Sequence, residues 1–131
     1  MKKEWIKTWN SSKLPRKQRK YRYNAPLHIL HKFLGCHLSK ELRKKYGRRA
    51  VALRKDDKVK LMRGSHKGYE AKVDRINLKS SKIYLIGMAV TRKEGSKRSL
   101  AVHPSNLMIT ELNLSDKRRA GMLERKKQQK E

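Results

Sequence analysis

Between Val51 and Ile109 apolar and polar side chains alternate in short runs, and on either side of that stretch the alternation stops. Period-two alternation marks strands with one buried face. It predicts strands at 51–53, 58–62, 69–76, 82–86, 100–102 and 107–109, with turns at 55–57, 77–81 and 93–97. In the run 58–62, Val59 and Leu61 share one face while Lys58, Lys60 and Met62 take the other. So little sheet hides its edges best by closing on itself, which predicts a small antiparallel barrel or sandwich.

Helical spacing appears outside this region. Asn24-Ala25-Pro26 reads as a helix start, because Asn caps well and Pro is tolerated in a first turn. Leu27, Ile29 or Leu30, and Phe33 or Leu34 then recur at helical spacing until Gly35. A second short helix is predicted after Ser39, with Leu42 and Tyr46 on one face and a stop at Gly47. A third runs from Ser115 or Asp116 through Arg125. The chain thus divides into a basic N-terminal extension with two short helices (1–49), a β domain (50–110) and a basic C-terminal tail (111–131). The fold class is mainly β with short helices.

Charge changes this picture more than any other property. The 131 residues carry 37 Lys plus Arg against 11 Asp plus Glu, a formal charge of +26, where a domain of this size stays soluble with roughly 2 to 8. Such self-repulsion calls for a polyanion. The segment 1–49 is the most basic, with 16 cationic and 2 anionic side chains. Hydrophobic residues make up 36%, below the roughly 45–50% usual for a globular chain, so a partner is expected to order much of the chain. Within it, the run 13–23 interleaves Arg16, Lys17, Arg19 and Lys20 with Tyr21 and Tyr23. It reads as an arm along nucleic acid, cations on phosphates and a tyrosine on a base. Lys40, Arg43, Lys44, Lys45, Arg48 and Arg49 crowd the second helix and its end, and with this overall charge they too read as RNA contacts.

Candidate chemistry narrows the reading further. Arg63-Gly64-Ser65-His66-Lys67-Gly68 links two predicted strands, and its glycines allow a sharp basic reversal that approaches a phosphate chain closely. It lacks the spacing and the following helix of a nucleotide enzyme's phosphate loop. His28, His31, Cys36 and His37 match no structural zinc spacing, so no metal and no cofactor are expected. Asp56 and Asp57 sit in a turn, where Asp is common for backbone reasons. No set of residues fills the roles of an active site, which argues against an enzyme. One cysteine excludes an intramolecular disulfide, and no apolar run reaches the roughly 18–20 residues of a membrane span. A cytoplasmic protein without membrane insertion is expected.

Val59, Gly64, Lys67, Gly68 and Val73 fall in the order of the KOW motif, a hairpin of SH3-like barrels in ribosomal proteins and transcription elongation factors. Ala71 stands where that motif usually carries a third glycine. The blocks RKQRK from Arg16, YNAPLH from Tyr23, HLSKELR from His37, KYGRR from Lys45, HPSN from His103 and LNLSDKRR from Leu112 resemble the large-subunit ribosomal protein twenty-four family, archaeal and eukaryotic type. The segment 90–97 is shorter than the family's usual loop. The resemblance implies a structural ribosomal protein with an SH3-like KOW barrel. It also implies binding to large-subunit rRNA near the nascent-chain exit, a part in early assembly, and neighbouring ribosomal proteins and targeting factors as further partners. The implied RNA contacts are Arg63, Ser65, His66, Lys67 and Gly68 in the loop and Arg16, Lys17, Arg19 and Lys20 in the arm, joined by the segment 43–49. Tyr23, Arg43, Lys44, Arg48 and Arg49 complete the candidate set. A transcription elongation factor built on the same hairpin and a nonspecific nucleic-acid binder are the competing readings.

Overall fold

The computed structural model describes residues 5, 6 and 12–125. Four helices, α1 (Pro15–Asn24), α2 (Leu27–Phe33), α3 (Lys40–Tyr46) and α4 (Lys117–Glu124), accompany seven strands. These are β1 (Gly35–Leu38), β2 (Ala50–Ala52), β3 (Lys58–Leu61), β4 (Glu70–Asn77), β5 (Lys82–Thr91), β6 (Lys97–Val102) and β7 (Leu107–Glu111). They form one sheet in the order β2-β1-β7-β3-β4-β5-β6. The mainly β fold of KOW type is as expected, with two refinements. Pairing runs from edge to edge without a closing ladder. One pair, β1 with β7, is parallel, while the others are antiparallel.

Alternation was a sound guide to the sheet. Val59 and Leu61 are buried while Lys58 and Lys60 are half-exposed. Val51 from the β2 edge and Val102 from the β6 edge enter one core cluster with Leu38, Val73, Ile83, Leu107 and Ile109. That needs a strongly coiled sheet, and register shifts near Asp74 and between Tyr84 and Ala89 supply local bending. β5 and β6 run longer than their alternation suggests. Their outer parts, 89–91 and 97–99, are exposed on both faces, so no burial pattern marks them.

The helices fared unevenly. α3 matches its expected limits, with Ser39 accepting from the Leu42 amide and Gly47 closing the C-terminus at φ +59°. α4 begins after Asp116, whose carboxylate accepts from the Arg118 amide. Within the arm, α1 adds a helix to the two expected in 1–49. Arg, Lys and Gln are good helix formers and Pro15 starts the first turn, yet no residue of α1 is buried and no apolar stripe announces it. Asn24 ends α1 and does not cap α2. Ala25 precedes a proline and is extended at ψ 137°, and α2 starts from Pro26 without a side-chain cap. Gly35 opens β1, a strand that four residues between two helices did not reveal.

The N-terminal helices carry a small core of their own, in which Ala25, Ile29 and Leu30 pack with Trp5 and Phe33. Tyr21 joins it, 5.0 Å from the Trp5 ring and 6.2 Å from that of Phe33. Trp9 lies outside the described residues.

The tail is anchored by charge. Arg119 and Asp57 are 2% and 0% exposed, and the guanidinium donates to both carboxylate oxygens at 2.6 and 2.7 Å. Asp57 also accepts from the Arg54 and Asn113 amides, while Arg119 donates to the Asn113 and Ala52 carbonyls. Leu123, one turn on, is fully buried in the core. Nearer the surface Arg54 pairs with Asp116 and, with the Arg118 amide, holds that carboxyl below its usual range.

Removing one partner of a buried pair strands the other charge, so Arg119→Ala is expected to cost about 3–5 kcal/mol in urea denaturation, with no rescue by lysine. Arg54→Ala, at the exposed pair, should cost far less. Equal costs would show that the tail does not depend on the buried pair.

Candidate nucleic-acid interface

The loop between β3 and β4 is closed at its base by three backbone bonds. Leu61 N–H donates to Tyr69 O and Gly68 N–H to Leu61 O, both at 2.8 Å, and Tyr69 N–H donates to His66 O at 3.1 Å. Gly64 and Gly68 sit at φ +91° and +90°, a region that L side chains adopt only with strain. The reversal is thus set by the backbone, and Arg63, Ser65, His66, Lys67 and Gly68 are all exposed. Two contacts brace the loop from outside. Met62 N–H donates to Asn106 O at 2.9 Å, and the Tyr69 hydroxyl donates to Ile86 O at 3.1 Å. The second contact depends on Gly87, where a Cβ would stand 2.7 Å from that hydroxyl. Ala71 is opposite Val59 and packs against the core, so a methyl fits where the motif usually has glycine.

The other predicted contacts divide into exposed and engaged groups. Arg16, Lys17, Arg19 and Lys20 are exposed on α1, and Tyr23 is 89% exposed. Tyr21, the other stacking candidate, is half-buried in the aromatic cluster. Lys44 and Arg49 are exposed; Arg43 is also exposed but donates through Nε to Leu38 O at 2.8 Å. Arg48 is half-buried and donates to Met122 O of α4 at 2.6 Å, which gives it a structural task. His37 links two of these groups. Its Nε2 lies 2.9 Å from Met62 Sδ, at the entrance to the loop. Partial burial, then the nearby Arg43 and Arg49 guanidiniums, push its imidazole below the ordinary value.

Cys36 is buried with Sγ 2.9 Å from Leu107 O, and burial pushes its thiol up to about 12. It packs as a small apolar side chain. Among the described residues no three His, Cys, Asp or Glu side chains gather as a metal-holding group. No helix among them is long and apolar enough to cross a membrane.

Sequence spacing missed one feature. A groove of about 410 Å³ lies between the 63–66 side of the loop and residues of β5, β6 and the Pro104–Asn106 turn. Lys82, His103 and Asn106 meet Arg63 and His66 there. His103 and Asn106 stand in the HPSN block, so that block was visible in the sequence but its place beside the loop was not.

The family model that covers the eukaryotic L26 ribosomal proteins and their archaeal L24 counterparts matches residues 12–126. The chain belongs to that family. It is similar to the large ribosomal subunit protein uL24 of Methanosarcina barkeri, 47% identical over 87% of this chain and 98% of the relative. It is also similar to uL24 of Methanocella arvoryzae, 48% identical over 88% of this chain and 94% of that one. Membership in a family of ribosomal proteins makes the chain a structural component and not an enzyme.

Gly87→Ala is expected to destabilise the fold, through both the φ of +78° and the encounter with the Tyr69 hydroxyl. In a Tyr69→Phe background the same substitution should cost less, because one of the two causes has gone. Thermal melts of the four proteins of that cycle check this, and additive costs would show that the hydroxyl contact is irrelevant.

Proposed function

We propose that this chain is a structural constituent of the large ribosomal subunit that binds large-subunit rRNA through the 63–68 loop, α1 and the exposed cations of 43–49. The observation that carries this reading is the near-full-length similarity to large-subunit uL24 proteins. Geometry supports it, because a loop fixed by backbone bonds and glycine conformation presents exposed Arg63, His66 and Lys67 with little ordering cost. α1 adds five exposed cations and Tyr23, a group suited to phosphates and one unstacked base. Phosphate contacts give strength without sequence choice, so choice comes from RNA shape meeting a rigid loop. Early assembly and a place near the nascent-chain exit, with neighbouring ribosomal proteins and targeting factors, belong to the same proposal and rest on the family resemblance.

The nonspecific reading rests on charge alone, and the elongation-factor reading on the hairpin alone. Neither accounts for similarity that runs from α1 through α4.

Sucrose-gradient fractionation of native extract should place the chain with the large subunit in stoichiometric amount, and recovery as free protein would overturn the proposal. With purified protein and rRNA, replacing Arg63 and Lys67 by Ala should weaken binding and shallow the salt dependence by about 1.4–1.8 in log–log slope, because two phosphates then keep their counterions. The melting temperature should hold, since both side chains are exposed. A fall in melting temperature with an unchanged slope would make the loop a structural element only.

A further inference from the structure

The groove beside the 63–68 loop is built unlike the rest of the cationic surface. The geometry points to a pocket for one unstacked RNA nucleotide, its base in the groove and its flanking phosphates on the rim, an inference that rests on the rRNA-binding reading above.

Size is the first argument. About 410 Å³ lies at the small end of the roughly 300–1,000 Å³ that ligand clefts span, which suits a single base and sugar better than a helix or a peptide strand. Wall chemistry is the second. Met88, Leu100 and Val102 give the groove an apolar side, while Arg63, Lys82 and His103 give it a cationic one, and no Asp or Glu lines it. Exposed loop cations alone would serve any phosphate backbone. Met88, 6% exposed, packs with the core and turns only a small apolar surface to the groove beside the half-buried Leu100, and a thioether is a good partner for an aromatic face.

Polar groups are also set for such a guest. His103 Nδ1 accepts from the Ser105 amide at 3.3 Å and lies 2.8 Å from the Ser105 hydroxyl, which leaves Nε2 as the ring nitrogen for a phosphate or base. Asn106 uses its backbone carbonyl to hold Met62, and its side-chain amide supplies a donor and an acceptor of the kind that reads a base edge. The bond between Met62 and Asn106 fixes the two walls against each other, so the groove is formed before RNA arrives. Ordered RNA then pays only for unstacking one nucleotide.

The test compares two RNA stem-loops of equal charge, one with a single bulged 2-aminopurine and one fully paired, by fluorescence anisotropy at near-physiological salt. The wild-type chain should prefer the bulged RNA by about tenfold, the scale of one well-placed base contact. That preference should collapse to about one in Lys82→Ala and His103→Ala, both at exposed positions. Equal affinity of the wild type for the two RNAs, or a preference that survives both substitutions, overturns the pocket. If the Arg63 and Lys67 double variant still weakens both RNAs in that case, the rRNA-binding reading stands without it. Failure of the wild type to bind either RNA overturns both.

Discussion

The buried pair of Asp57 and Arg119 is the contact on which the rest of the architecture depends. Two charges removed from water are tolerable only when they meet closely and further hydrogen bonds replace their hydration, and here the carboxylate receives two amides besides the guanidinium. Those amides belong to Arg54, at the turn before β3, and to Asn113, just past β7. One carboxylate therefore ties the turn, the end of the last strand and the tail helix together. Hydrophobic burial of Leu123 then seats the helix on the core. The tail helix thereby covers part of the core.

Around that fixed centre the cationic surface can be generous. Self-repulsion among so many Lys and Arg side chains works against compaction, yet the described ones are mostly exposed and spread over helices, strands and loops alike. The loop keeps its shape by glycine conformation and backbone bonds, with Tyr69 and Met62 as struts. Its side chains are thereby released from structural duty, the condition a recognition element needs. Arg48 shows the opposite case, a cation in a basic run that serves the tail helix.

What the sequence disclosed depended on whether the physics was local. Alternation located β3 and β4, and Ser39 with Gly47 bounded α3, because a strand face and a helix cap are decided within a few residues. α1 stayed hidden, since a helix with no buried face has no apolar period to show. Asp57 looked like an ordinary turn residue, and Arg119 like one more cation of a basic tail, because 62 positions separate them. The groove was out of reach for the same reason. Arg63, Lys82 and His103 lie on three segments that meet only after the sheet coils.

The position of β7 has a consequence for biosynthesis. This last strand lies between β1 and β3, so until it is made the sheet exists as two separate pieces. Translation delivers Asp57 long before Arg119, and a nascent chain holding only the earlier residues has a carboxylate with no counter-charge and a core with no final strand. Completion of the fold waits for translation of β7, Arg119 and Leu123, and until then the nascent chain lacks both the strand that joins the two pieces and the helix that covers the core.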